Sequence, residues 1–376
     1  MRSFLCVVVA FLLFSGELGL AVSEHNEICK ETLTQPASIG GQNTYTSVLI
    51  GENPSCSGVK RRSKLLVASP HTSSHLIRVQ KMSLDAFLQV PFDYVVYDDS
   101  YGRAHFSNFK TAGMSAQIKE ITEATGGVYK RVPQKFHEDR RCLFPNSLET
   151  ILNSNPNTRC SDIYQFIQRD QDVYCSQAVV MLLDADVFLV KAYNPVTDMS
   201  SAGVSLVSVP QYRKFYTKDG HHANITYMWT ALNIMDVPSL PSPQEVNWDC
   251  GKLKYLYDGT EIAKEVAIDS GGHTYDWLMK HRPKMKWLDV EYVQDSKDPD
   301  SQGLANAWKE LYRKNGLLEP EFKSQILGEH FLHLRNAGNW VQAGVRYKNL
   351  QPELNKAIID FIHKRKAEKR VAQVMP

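Results

Sequence analysis

The sequence carries almost no surplus charge: 43 basic against 41 acidic side chains leave +2, so no bulk electrostatic attraction to nucleic acid is implied. It has no Cys-x-x-Cys pair, which removes that common zinc-binding or redox reading of its seven cysteines. No internal repeat is present, which argues against a solenoid or propeller. No uninterrupted apolar run reaches the roughly 20 residues needed to span a membrane. The longest, Phe4 to Phe14, is broken from the next apolar stretch by Ser15, Gly16 and Glu17. The last residues, Val374-Met375-Pro376, are not a retrieval signal.

What is present is an ordinary globular composition, 43% hydrophobic and 22% charged over 376 residues. That length holds one large α/β domain or two smaller ones. The Phe4–Phe14 run, preceded by Arg2 and followed by Ala21-Val22-Ser23, reads as a cleavable signal peptide over 1–23 and implies the secretory pathway, the ER or Golgi lumen or secretion. A short type II anchor is the weaker alternative, and no stable membrane span is expected after cleavage. Cys6 would leave with the peptide. Cys29, Cys56, Cys142, Cys160, Cys175 and Cys250 would remain, an even set that three disulfides would satisfy in an oxidising compartment, with the connectivity open. Asn224-Ile225-Thr226 is an acceptor sequon, whereas Asn53-Pro54-Ser55 is blocked by its proline.

From Glu24 to Arg62 the chain is rich in Thr, Ser, Gly and Asn and reads as a loosely ordered lead-in. Lys64–Ala68 is expected as a buried strand, with Ser69-Pro70-His71 as a loop. His75–Gln89 places Leu76, Val79, Met82, Leu84 and Phe87 at helical spacing, and Phe92–Tyr97 forms a second strand ending in Asp98-Asp99-Ser100. Acidic residues at a strand's carboxyl end lie where open α/β sheets bind nucleotides. Further helices are expected over 115–125, 159–169 and 352–369, with strands over 128–132, 204–210, 229–235 and 284–293. Alternating strands and helices predict an α/β fold with one sheet rather than a sandwich or bundle. The basic end of the last helix, Lys364-Arg365-Lys366, reads as a solvated terminus.

The most informative stretch is Val179-Val180-Met181-Leu182-Leu183-Asp184-Ala185-Asp186-Val187-Phe188. Side chains alternate along a strand, so Asp184 and Asp186 project the same way where it emerges. Hard oxygen ligands there suit Mn²⁺ or Mg²⁺. A pair of carboxylates on a loop is also common as plain solvated charge.

Four segments in order carry a resemblance to GT-A fold nucleotide-diphospho-sugar glycosyltransferases: residues 75–100, Leu182–Phe188 with the Asp-x-Asp, Ile268-Asp269-Ser270-Gly271-Gly272-His273-Thr274-Tyr275, and His333–Trp340. The resemblance implies a GT-A-like α/β fold, Rossmann-like in its nucleotide-binding half with a mixed sheet flanked by helices, over 63–350. A carboxy-terminal helix and basic tail would follow over 351–376. It implies Asp184, Asp186 and His333 as metal ligands, with His330 competing for the last place. It also implies a nucleotide-sugar site of Asp98, Asp99, Arg159, Asp162, Asp184, Ala185, Gly271, Gly272, Arg335, Asn339 and Trp340. Asp186 would act through the metal, and Asp269 is the candidate base if the reaction inverts configuration. His273 and Trp277 are candidate acceptor contacts. Where related families carry Lys-Pro before the Trp, this chain has Gly338-Asn339, leaving Arg335 as the replacement contact for the diphosphate.

The implied reaction is metal-dependent transfer of a sugar from a nucleotide-diphosphate donor, UDP-sugar as the commonest guess, to a glycan, glycoprotein or glycolipid. Two alternatives start from the same residues. One is a haloacid-dehalogenase-like phosphatase with Asp184 as nucleophile and Asp186 as acid/base. The other is a catalytically silent sugar-binding protein on a transferase fold.

Overall fold

The structure is a computed structural model that describes residues 65–100, 114–133, 135–137, 140, 156–170, 173, 175, 179–314, 324–334, 352–353 and 355–367. The expected signal peptide and lead-in, and the candidate residues Arg335, Asn339 and Trp340, lie outside the described residues. Among the described residues no helix is long and apolar enough to cross a membrane.

The chain opens as β1 (Leu65–His71), α1 (Ile77–Phe87), β2 (Phe92–Asp98), α2 (Met114–Ala124) and β3 (Val128–Arg131), then α3 (Pro156–Arg169) and β4 (Val179–Leu183). β1 is buried at every position, as expected of a central parallel strand covered on both faces. It runs three residues past the expected strand, through the stretch read as a loop, because Pro70 and His71 stay in register with Tyr97 and Asp98. β1 is parallel to β2 on one side and to β4 on the other, and β3 extends the parallel run.

The second half adds β5 (Val187–Leu189), α4 (Pro195–Ala202), β6 (Leu206–Tyr216), β7 (His222–Asp236), β8 (Gly251–Tyr255) and β9 (Glu261–Ile268). After these come α5 (Thr274–His281), β10 (Met285–Trp287), β11 (Val290–Tyr292), α6 (Pro299–Lys314), β12 (Gln325–Leu327) and β13 (Phe331–His333). Three sheets result: a seven-stranded one ordered β10-β6-β7-β4-β1-β2-β3, a four-stranded one ordered β11-β12-β13-β5, and the pair β8-β9. β7 is antiparallel to both β4 and β6. The main sheet is therefore mixed and flanked by helices, the α/β class expected from the sequence.

Strand alternation divides the interior in two. Leu65 and Val67 join α1, Ile118 of α2, β5, β13 and α6 in one core, while Leu66 and Ala68 join Ile163, Tyr164 and Ile167 of α3 with Trp248 and Trp277 in the other. Helices thus cover both faces, and the strand order reverses between β1 and β4. A crevice forms at the carboxyl ends of the strands at such a reversal.

Two expectations are corrected. The strand expected over 284–293 is two strands in two sheets, β10 beside β6 and β11 beside β12, with the change of sheet at Leu288 and Asp289. The basic helix end at Lys364 and Arg365 pairs with acidic side chains ahead of and within α6: Lys364 with Asp300, and Arg365 with both Asp298 and Asp300. This helix, over 355–367, also sends Ile358, Phe361 and Ile362 into the core that holds α1 and β5. Ile362→Ala, which empties a fully buried site, is expected to destabilise the protein by about 2–5 kcal/mol, read as a lowered urea midpoint. An unchanged midpoint would mean that the helix adds nothing to the domain core.

Candidate active site

The carboxyl end of β4 reaches the surface of the sheet in a turn of three residues, Asp184-Ala185-Asp186, before β5 begins. β5 pairs not with the main sheet but with β13, placing Val187 opposite His333 and Phe188 opposite Leu332. Leu334 N–H then donates to the Asp186 carbonyl at 2.8 Å. This register brings a histidine from far along the chain against the second aspartate.

His333 Nε2 lies 3.4 Å from Asp186 Oδ1, and both side chains are buried. Asp186 Oδ1 has no hydrogen-bond partner. His333 Nδ1 is 3.1 Å from Gln325 Oε1. An amide oxygen only accepts, so His333 Nδ1–H donates to Gln325, and Nε2 is the ring nitrogen turned toward Asp186. The ring is held from the side by Trp229, at 4.9 Å between centroids. Trp229 sits where β7 bulges against β6, between the pairs Pro210/Met228 and Ser208/Asn233, and bulges of this kind re-aim side chains. His330, the competing ligand, stacks on Tyr193 at 4.7 Å, among Lys191, Glu329 and Asp198. It does not face Asp186.

Asp184 stands beside this pair rather than completing it. Its Oδ1 accepts the Ala185 N–H at 2.8 Å. Among the described residues, no three His, Cys, Asp or Glu side chains are gathered closely enough to hold a metal ion. Burial, followed by the nearby charges of Asp186 and Asp269, pushes the Asp184 carboxyl well above its ordinary pKa, against the opposing Ala185 N–H. Asp269 therefore reaches the same region from the end of β9. Among the described residues no Lys or Arg forms an ion pair with Asp184, Asp186 or Asp269.

The other expected contacts are differently placed. Asp98 accepts from Ser100 N–H at 2.7 Å, Tyr129 Oη at 2.7 Å and Ser115 Oγ, and it pairs with Arg131. Burial would raise its pKa, but the bonds from Ser100, Ser115 and Tyr129 outweigh it and hold the carboxyl below its ordinary value. Asp99 is taken by Arg159, at 2.6 Å, and by His137 Nε2, at 3.0 Å. Asp162 is taken by His137 Nδ1, at 2.8 Å, and by Arg140 Nε, at 2.7 Å, while Arg140 also reaches Asp249. These side chains knit β2, α3 and the 135–140 segment together. They belong to one charge network in which Asp98, Asp99, Asp162, His137 and Arg140 are buried, while Arg131, Arg159 and Asp249 are partly exposed.

Gly271 and Gly272 use their missing side chains against protein. A Cβ on Gly271, which has φ +84°, would strike the Met228 carbonyl, and one on Gly272 would strike Ile268. Trp277 is buried and donates to the Pro241 and Ser242 carbonyls at 3.2 Å, and His273 is buried as well. Of the cysteines, Cys175 is disulfide-bonded, whereas Cys160 is a free thiol near Thr230 Oγ1, at 3.6 Å. Three disulfides over six cysteines would leave no such thiol, so Cys160 departs from that expectation.

No family model matches the chain, and no curated relative does. Among solved structures it is similar to the mannosyltransferase PcManGT from Pyrobaculum calidifontis, in complex with GDP-Man and Mn²⁺, at 12% identity and a TM-score of 0.30. That likeness covers 96% of this chain and 86% of the other. A TM-score this low does not bear on what the chain binds.

Sequence reasoning passed over His71, Gln80, His137, Arg140, Trp229 and Gln325. Gln80 alone left a trace, as a polar residue on the buried stripe of α1. His71, at the carboxyl end of β1, is almost wholly buried and contacts Ser69 Oγ at 3.1 Å, Gln80 Oε1 at 3.2 Å and Tyr94 Oη at 3.3 Å. Burial pushes its pKa from 6.5 down to about 4, against the raising influence of Gln80, Asp186 and Asp98. Between those values the unfolded chain binds a proton that the folded protein does not, so stability rises with pH across this window and is lost as pH falls through it. His71→Asn is expected to flatten the pH dependence of the urea midpoint between pH 4 and 6.5. An unchanged slope would show that His71 does not titrate as described.

Proposed function

We propose that the chain is a metal-dependent glycosyltransferase acting on a nucleoside-diphosphate sugar. The observation that carries this reading is the buried Asp186 Oδ1, without a hydrogen-bond partner, set 3.4 Å from His333 Nε2, at the carboxyl end of a strand beside the reversal of the sheet. A carboxylate oxygen suits either Mn²⁺ or Mg²⁺, and the imidazole nitrogen beside it favours Mn²⁺ over the more oxygen-selective Mg²⁺. The donor set fits such an ion as a pair, Asp186 and His333, with Gln325 fixing the tautomer and orientation of the imidazole. The ion would supply positive charge to the diphosphate as it departs.

The chain's own residues do the rest. Asp184 lies beside the pair with its Oδ1 committed to the Ala185 N–H, so it would border the metal side of the site without being one of the two ligands. In the inverting case, the bond between the anomeric carbon and the diphosphate breaks as a bond to an acceptor hydroxyl oxygen forms, and the hydroxyl proton passes to the Asp269 carboxylate. Asp98, Asp99, Arg159 and Asp162 then act as the rigid wall of the nucleotide side, their charges already satisfied within the protein. A glycan, glycoprotein or glycolipid acceptor, and a place in the secretory pathway, belong to the same proposal. They rest on the sequence reading of residues 1–23 and of the sequon, whose Asn224 is exposed on β7.

The test is thermal stability against a panel of nucleoside diphosphates with and without Mn²⁺. A nucleotide that binds the native state at a hundredfold excess over its Kd adds about 2.7 kcal/mol. One nucleotide is expected to stabilise wild type only when Mn²⁺ is present, and Asp186→Ala is expected to remove the effect. Absence of any shift across the panel would sink the transferase reading and return attention to the phosphatase and silent sugar-binding alternatives.

A further inference from the structure

Gln80 is a fully buried amide on α1, one face of which packs on the strand that follows the Asp184–Asp186 turn. Its Nε2 donates to the Asp184 carbonyl at 2.7 Å and to the Val187 carbonyl at 3.0 Å. Those two carbonyls bracket the turn. Its Oε1 accepts from Tyr94 Oη at 2.7 Å and from His71 Nε2 at 3.2 Å. Backbone carbonyls only accept, so the orientation of the amide is fixed by its partners and all four of its hydrogen-bonding positions are used. One helical turn later, Ser83 Oγ accepts the Leu189 N–H of β5 at 3.1 Å. On the opposite side the turn is held by β7, where the Ala231 carbonyl accepts the Asp184 N–H at 3.0 Å.

We propose that Gln80 is a positioning residue for the metal pair: it sets the conformation of the Asp184–Val187 turn so that Asp186 meets His333, without itself touching ligand. The proposal rests on the metal-dependent reading above. His333 is tied to the same turn through its pairing with Val187, while its ring is oriented separately by Gln325. Loss of the Gln80 amide therefore disturbs Asp186 and the Val187 end of the β5–β13 pairing, and so the fit between Asp186 and His333. An apolar side chain of similar size would take the side-chain donor from both carbonyls, leaving Asp184 with only the Val187 N–H at 3.1 Å, and the turn would shift to recover the lost bonds.

The experiment uses the full chain with Gln80→Leu and Gln80→Glu, and Asp85→Asn on the exposed side of the same helix as control. Two readouts are taken: amide hydrogen exchange of peptides covering 180–190 and 92–98, and the Kd for Mn²⁺ from a titration with MnCl₂ alone. Gln80→Leu is expected to speed exchange over 180–190 about 10-fold with 92–98 unchanged, and to raise the Mn²⁺ Kd about 10–100-fold. Gln80→Glu keeps the length and, protonated in this buried setting, one donor, so it falls between wild type and Gln80→Leu. It also decides the matter if the leucine variant does not fold. The control matches wild type. A folded Gln80 variant with wild-type exchange over 180–190, or with wild-type Mn²⁺ affinity, overturns the proposal. If wild type itself binds no Mn²⁺, the metal reading falls, and the exchange readout alone then decides whether Gln80 sets the turn.

Discussion

The turn between β4 and β5 must satisfy two sheets at once. β4 is locked between β1 and β7 in the main sheet, while β5, three residues later, belongs to the small sheet with β13. So short a connection leaves no freedom in how the small sheet sits against the carboxyl edge of the main one. The placement of His333, the direction of Asp186 and the approach of Trp229 all follow from it. The turn is accordingly held from both flanks, by backbone bonding to β7 and by the Gln80 amide of α1. Such double anchorage keeps catalytic or binding groups within the tight tolerances that function needs.

The acidic residues at this edge of the sheet fall into two groups with opposite fates. Asp98, Asp99 and Asp162 are met by Arg131, Arg159, His137 and Arg140 in a largely buried network. Removing one member of such a network strands an uncompensated charge, which is strongly destabilising. Asp184, Asp186 and Asp269 have no cationic side chain paired with them among the described residues, and burial first, then the charges of Asp186 and Asp269, raises the pKa of Asp184. Native proteins rarely gather buried carboxylates in this way unless something positive is meant to join them. Burial does not by itself define the groups, since Asp186 is buried like Asp98, Asp99 and Asp162 while Asp184 and Asp269 are half-buried; the difference lies in which charges the protein answers by itself.

Much of the first half of the main sheet was legible in the sequence, because continuous apolar runs and helical spacing mark β1, α1, β2 and α3 directly. The Asp184–Asp186 pair and His333 were also legible as candidates, and Asp186 and His333 do meet. Three things were not. Short strands that change sheet, as at Leu288, look continuous in one dimension. The β8–β9 hairpin was hidden because its exposed positions mix Lys, Glu and Ala with little alternation. Pairing was invisible too: nothing in the sequence around Asp99 or Asp162 shows that His137 and Arg140 would fold back to meet them, or that the space beside Gly271 would be filled by Met228 rather than by ligand.

The helix over 355–367 has one further consequence, for how the protein comes to be made. Its residues Ile358, Phe361 and Ile362 complete the same core as α1 and β1, and Asn355 donates to the His75 carbonyl across 280 residues of sequence, at 3.2 Å. During synthesis the first βαβ unit emerges long before the element that covers it. Until the 355–367 helix leaves the ribosome, that part of the apolar face lacks its cover. Closure then depends on contacts of very high sequence separation, which form slowly. The core on this side of the sheet is therefore closed only once the 355–367 helix has been made.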